Sequence, residues 1–245
     1  MNKIVLYLIT IILMAALVAL KVPYLLATII TVSVVMVLYM KLITNKSRLR
    51  YKVLAQECNP AEFIKITEQQ LVVHKKNKKA VAYLTIDKAA ALIAQGDFEQ
   101  AKELLLAIDK NYITEKNGLL LNYNIYYVTC LYELNLIDEA EEFYEKNIVK
   151  LIENNEKQAL TILLLEGERD FYLQNYTNSK QKLQSILSNS ISLMSRLKIL
   201  YKLALIDLYN GDKESAKVKL KEILELGNGL MVAQKAHQHL VLLNN

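Results

Sequence analysis

The residues able to do chemistry are few and scattered. Three histidines stand at His74, His237 and His239, and two cysteines at Cys58 and Cys130. His237 and His239 lie two apart on a helical pattern and point in different directions, whereas a shared metal needs an i, i+4 pair. Neither cysteine has a CxxC partner, so both read as reduced thiols, with Cys130 packed inside a helix. A His–Cys nucleophilic pair has no local support. Carboxylates are plentiful at Glu133, Asp138, Glu139, Glu141, Glu142 and Glu145, and again at Glu166, Glu168 and Asp170. Glu166 and Asp170 share a helix face. Acid–base work would require them in a cleft with shifted pKa values, and a solvated face is the simpler reading. No Gly-rich phosphate loop, GxSxG or HExxH occurs. The expectation is a protein that is not an enzyme, without catalytic residues, metal ligands or cofactor.

The elements that carry these residues are helices. The chain has 245 residues, 53% hydrophobic, with only 2 Pro and 6 Gly, which argues against a turn-rich β fold. Its formal charge of +5 is unevenly spread. Residues 1–79 carry 12 Lys+Arg against 3 Asp+Glu, while residues 80–245 carry 18 against 22. The basicity therefore belongs to the first segment, and nucleic acid is not expected as a partner.

Two apolar runs, Ile4–Leu20 and Tyr24–Met40, are separated by Lys21-Val22-Pro23. One helix through both would be about 55 Å long, far more than a hydrocarbon core of about 30 Å. Two helices crossing as a transmembrane hairpin fit better, with Pro23 opening the second. Residues 1–44 are assigned to this hairpin. Lys41, Lys46, Arg48, Arg50 and Lys52 follow it, so the positive-inside rule places both termini in the cytoplasm, across an inner (cytoplasmic) membrane. A cleaved leader over Lys3–Leu20 is the competing reading. It is opposed by the missing small-x-small site before Lys21 and by the second apolar run. Thr28, Thr31 and Ser33 could serve a contact with other spans.

Residues 45–79 read as a basic juxtamembrane connector. Lys41, Lys46, Arg48, Arg50 and Lys52 are the membrane-surface candidates, suited to anionic lipid headgroups. For the cluster His74-Lys75-Lys76-Asn77-Lys78-Lys79 the same lipid attraction is the second reading, and complementing a helix C-terminus is the favoured one. Asn59-Pro60 has the form of an N-cap and first helical position, predicting a helix from about Pro60 to Lys76.

The rest repeats. Gly96–Ala101, Asn135–Ala140, Gln174–Ser179 and Gly211–Ala216 align as turns that begin on a turn-compatible or polar residue and end on a small one. The small residues lie 39, 39 and 37 positions apart, which predicts stacked helix pairs. Seven residues before each turn stand Ala89, Val128, Gly167 and Ala204, slender enough to let paired helices approach.

These features resemble the tetratricopeptide repeat, through the small residue of the first helix, the Gly-x-aromatic turn Gly96–Phe98 and the Ala of the second helix. The resemblance covers about residues 80–226, with a capping helix from about Gly229 to Leu243. Trp is absent, Thr85, Asn124, Leu163 and Leu200 replace the usual aromatic, and the period is near 39 rather than 34. The expected fold class is all-α, a transmembrane helical hairpin followed by a tetratricopeptide-like α-solenoid over residues 80–245, in a bacterial member of the family.

The resemblance implies a concave groove lined by first helices. Candidates are Tyr83 and Ile86, then Ile125 and Tyr132, then Leu164, Phe171 and Tyr172, then Tyr201, Leu208 and Tyr209. A half-turn register error would exchange groove for core. The Lys and Asn clamp that some members use for a partner's C-terminus is missing, since Ile86, Ile125, Leu164 and Tyr201 occupy one set of positions and Ala90, Thr129, Glu168 and Leu205 the other. The implied function is a membrane-anchored interaction scaffold for an apolar or aromatic-rich protein or peptide segment. The alternative is a structural or assembly subunit of a membrane complex, using the hairpin for helix packing.

Overall fold

The computed structural model describes residues 3–152 and 159–244, and all regular structure among them is helical. The chain divides into two compact units, Met1–Tyr51 and Lys52–Asn245. The helix that begins at Tyr24 runs on to Ala55, and the next helix packs as part of the second unit.

The first unit holds α1 (Lys3–Ala19) and most of α2 (Tyr24–Ala55). Lys21 takes a positive φ of 59° at the break, and the Val22 N–H bonds the Leu17 carbonyl at 3.1 Å, closing α1. The Thr31 hydroxyl of α2, 4% exposed, reaches the Met14 sulfur of α1 at 3.8 Å. The Thr28 hydroxyl bonds its own helix at the Tyr24 carbonyl. Tyr24–Lys41 is long and apolar enough to cross a membrane, with mean hydropathy 1.9, and Tyr7–Ala19 is a shorter apolar stretch. Leu25, Ile29, Val32 and Val37 of α2 and Tyr7, Ile11 and Ile12 of α1 are all exposed.

The second unit begins with α3 (Pro60–His74). Asn59 caps it by accepting from the Glu62 N–H at 3.1 Å, and Pro60 fills its first turn, where a missing N–H costs nothing. Then follow α4 (Lys78–Gln95), α5 (Phe98–Leu106), two 3₁₀ turns at Lys110–Tyr112 and Glu115–Asn117, α6 (Leu119–Glu133), α7 (Ile137–Asn147) and α8 (Val149–Ile152). After residues 153–158 come α9 (Ala159–Tyr172), α10 (Tyr176–Leu187), α11 (Leu193–Tyr209), α12 (Lys213–Leu226) and α13 (Met231–Asn244).

Four helix–turn–helix corners share one backbone geometry. Gly96, Asn135, Gln174 and Gly211 all adopt positive φ, at 98°, 60°, 62° and 81°. Behind each, the next residue's N–H reaches back five positions: Asp97 to Leu92, Leu136 to Leu131, Asn175 to Asp170 and Asp212 to Asp207, at 2.8–2.9 Å. This is the Schellman closure, in which a left-handed residue satisfies the last carbonyls of a helix. Five positions past each left-handed residue, Ala101, Ala140, Ser179 and Ala216 are fully buried. Across from them Ala89, Val128 and Ala204 are fully buried too, and Gly167 is buried. At Gly167 the approach is close. A Cβ built there would lie 2.9 Å from Leu183 Cδ2, and the Ser179 hydroxyl donates to the Gly167 carbonyl at 2.8 Å. The absent side chain thus has a packing cause that outweighs glycine's helix penalty of about 1 kcal/mol.

The two ends of the second unit meet. The Gly229 N–H bonds the Cys58 carbonyl at 3.1 Å, and Asn228 Nδ2 bonds the Glu57 carbonyl at 2.9 Å. Phe63 of α3, Ala91 of α4, Tyr201 of α11 and Ala233 and Leu240 of α13 share one buried cluster. The last helix therefore covers apolar surface of the first pair as well as its own neighbour.

Candidate functional site: an aromatic ladder around a buried ion pair

The first helices of successive pairs, α6, α9, α11 and α13, bring charged and aromatic side chains together. Tyr132 of α6 and Tyr172 of α9 stack with centroids 5.0 Å apart and planes within 3°. Phe171 meets Tyr172 edge-on at 5.5 Å, Tyr176 of α10 lies 5.7 Å from Phe171, and Tyr209 of α11 lies 4.5 Å from Tyr176. The result is a continuous ladder from buried Tyr132 to Tyr209, which is 71% exposed. A shallow cleft of about 300 Å³, bounded by Tyr176, Lys180, Gln184 and Asn210, opens at its outer end.

Charges lock the inner end. Lys202 of α11 lies over the rings of Phe171 and Tyr172, with Nζ 4.7 and 4.1 Å from their centroids. Its ammonium donates to the Tyr172 oxygen and, at 3.1 Å, to Glu133 of α6. The Tyr172 hydroxyl donates to Glu133 at 2.5 Å, and Lys235 of α13 stands 3.8 Å from the same carboxylate. Burial would raise the Glu133 pKa, but Lys202, the Tyr172 hydroxyl and Lys235 overcome it and hold the carboxyl below its ordinary range. Burial pulls the Lys202 ammonium down although Glu133 opposes it. Burial, together with Glu133 and Glu168, pushes the Tyr172 phenol well up, so it stays protonated and able to donate.

A second knot lies beside it. Glu141 of α7 accepts from Arg169 of α9, at 2.9 and 3.0 Å from Nε and 2.5 Å from Nη2, and from the Tyr132 hydroxyl at 2.5 Å. Glu168 differs from both acidic partners. It is 8% exposed and close enough to act on Lys202 and Tyr172, yet among the described residues it has no hydrogen bond or ion pair. A carboxylate with no hydrogen bond beside an aromatic surface is suited to a donor-bearing side chain from outside.

Of the groove candidates, the structure opens only some. Tyr209 is exposed, and Tyr83, Leu164, Phe171, Tyr172 and Leu208 are half-buried. Ile86, Ile125, Tyr132 and Tyr201 are corrected to core positions, at 2, 8, 2 and 5% exposure. Neighbouring helices cover them: α4 against α6, α6 against α9, and α11 against α13, where Tyr201 OH lies 3.2 Å from His239 Nε2. Among the membrane-surface candidates Lys41, Arg48 and Lys52 are exposed. Arg50 is corrected to a buried position, 2% exposed with its guanidinium 5.2 Å over the Tyr51 ring, and the Lys46 side chain lies outside the described residues. Sequence reasoning missed the joint role of Glu133, Lys202 and Lys235. Their signal was present as charges on the inner face of otherwise apolar first helices.

The thiols are buried. Burial pushes Cys58 up and Cys130 up to about 12, far from the range of a reactive thiolate. Among the described residues no three His, Cys, Asp or Glu stand together to hold a metal ion. Lys182 draws Glu166 and Asp170 into one ion-pair group, at 3.5 and 2.9 Å.

Comparison with family models, with curated proteins and with solved structures finds no match to this chain.

Proposed function

We infer that the protein is a membrane-anchored, tetratricopeptide-like interaction scaffold, not an enzyme. The observation that carries this is the repeated corner, in which four left-handed residues, four five-position closures and four buried small residues recur at matching places. Identical corners at a near-constant period stack helix pairs into an α-solenoid. The α1–α2 segment supports a transmembrane hairpin, because apolar side chains face outward on both helices and Thr31 ties them to each other. Exposed Lys41, Arg48 and Lys52 favour a cytoplasmic solenoid by the positive-inside rule.

The partner is a protein or peptide segment with apolar or aromatic side chains for Tyr209, Leu208 and Phe171, and one donor for Glu168. Exposed aromatics make efficient anchors because they bury large area at small entropic cost. The assembly-subunit alternative loses ground at Thr28 and Thr31, whose hydroxyls are engaged within the hairpin. Affinity purification of the full chain from mild detergent, beside a Phe171→Ala/Tyr209→Ala variant, tests the scaffold reading. Loss of the same co-purifying protein in the variant is expected. An unchanged set of partners would overturn it.

A further inference from the structure

The turn between α3 and α4 combines an apolar step with a concentrated positive charge. Val72 and Val73 are 71% and 76% exposed, among the most open large apolar side chains of the second unit. The residues from Val72 through Lys79 are all exposed. Lys75, Lys76, Lys78 and Lys79 have no ion pair or hydrogen bond among the described residues.

Helix electrostatics account for only half of this cluster. Lys75 and Lys76 follow the C-terminus of α3, where positive charge complements the macrodipole. Lys78 and Lys79 are the first two residues of α4, behind the N-cap Asn77, where positive charge opposes it. No acidic side chain occupies the first turn of α4 to offset them. An external negative surface would make all four lysines favourable at once, and the valines give that surface an apolar layer to meet.

We propose that the Val72–Lys79 turn is a second membrane contact, resting on the anionic lipid surface with Val72 and Val73 at the acyl boundary and the four lysines among headgroups. This rests on the reading of Tyr24–Lys41 as a membrane span. Two features single out a bilayer as the occupant. The charge is complementary to anionic lipid. The pairing of adjacent apolar side chains with lysines is that of an interfacial anchor. Each lysine near an anionic surface favours the bound form about fivefold.

The chain has no Trp, so single tryptophans report position without background. Full-length Val73→Trp and Tyr39→Trp proteins are reconstituted into phosphatidylcholine vesicles with and without phosphatidylglycerol, each containing brominated lipid. The indole at position 39 should be quenched in both. The indole at position 73 should be blue-shifted and quenched only with phosphatidylglycerol. It should lose that quenching in high salt and when Lys75, Lys76, Lys78 and Lys79 are all changed to Gln. A position-39 indole that escapes quenching would sink the membrane reading itself. Quenching at position 39, with position 73 open to aqueous iodide in every vesicle, would overturn this proposal alone. So would protection of position 73 that appears only on adding a soluble acidic protein fraction, which would assign the surface to a protein.

Discussion

Lys202 Nζ lies 3.1 Å from Glu133 Oε1, although 69 positions separate them in the chain. The pair joins α6 to α11 across the face of α9, with the Tyr172 ring beneath the ammonium and its hydroxyl on the carboxylate. Their side chains are 9% and 14% exposed, so neither charge can be left alone without a large desolvation cost. Lys202→Met should destabilise the full chain by about 3 kcal/mol, the lower end for a broken buried pair because Lys235 still faces Glu133. Adding Glu133→Leu should recover most of that loss. Thermal unfolding in detergent measures both, and a double variant no better than the single one would show that the pair is not the coupling.

Asp207 sets an acid limit. Its side chain is 1% exposed and accepts from Lys180 at 2.8 Å, Lys219 at 2.7 Å and the Ser215 hydroxyl at 2.8 Å. Burial alone would raise its pKa, but these three donors outweigh it and hold the carboxyl below the ordinary value. The stabilisation is therefore present in full above about pH 3.9, the unfolded value, and is lost as pH falls through the lower folded one. Asp207→Asn should cost about 1.5–3 kcal/mol at neutral pH. The gap between variant and wild type should narrow only below about pH 4. Unfolding midpoints across acid pH check this, and a gap that closes already near neutrality would refute it.

Gly167→Ala should destabilise in spite of alanine's better helix propensity. The new Cβ would meet Leu183 Cδ2 and Cγ at 2.9 and 3.1 Å, and Leu183 is itself fully buried. Overpacking of this kind costs about 1–3 kcal/mol. Leu183→Ala in the same chain should relieve the clash, so the two changes should be less than additive. Additive losses would mean that the contact is not the cause.

Tyr209→Ala should separate binding from folding. Its ring touches Tyr176 but is otherwise open, so its removal should lower stability by only about 0.5 kcal/mol. Partner capture should fall far more than the unfolding midpoint moves. A parallel loss of both would mark Tyr209 as structural only.

The all-helical class and the four corners were legible because backbone needs leave local marks. Gly96 and Gly211 supply left-handed φ at no steric cost, and Asn135 tolerates it. Gln174 shows that the repeat position can force the conformation on a residue with no preference for it. The inner face was less legible. Ile86, Ile125, Tyr132 and Tyr201 lie on first helices as expected, but neighbouring helices cover them. Their burial depends on how far each helix is rotated toward the next, which periodicity within one helix does not encode. Lys202 meeting Glu133, or Gly229 meeting Cys58, is fixed by the stacking of several pairs, and no local pattern announces it.

The central claim is that the outer end of the aromatic ladder receives a partner while the protein sits in its membrane. A photoreactive phenylalanine placed at Tyr209 of the full chain, irradiated in intact membranes, measures this most directly beside the same group at exposed Val218 on α12. The scaffold account predicts one discrete adduct from position 209, weakened by Phe171→Ala, and none from position 218. Equal adducts at both positions, or none at 209, would contradict it.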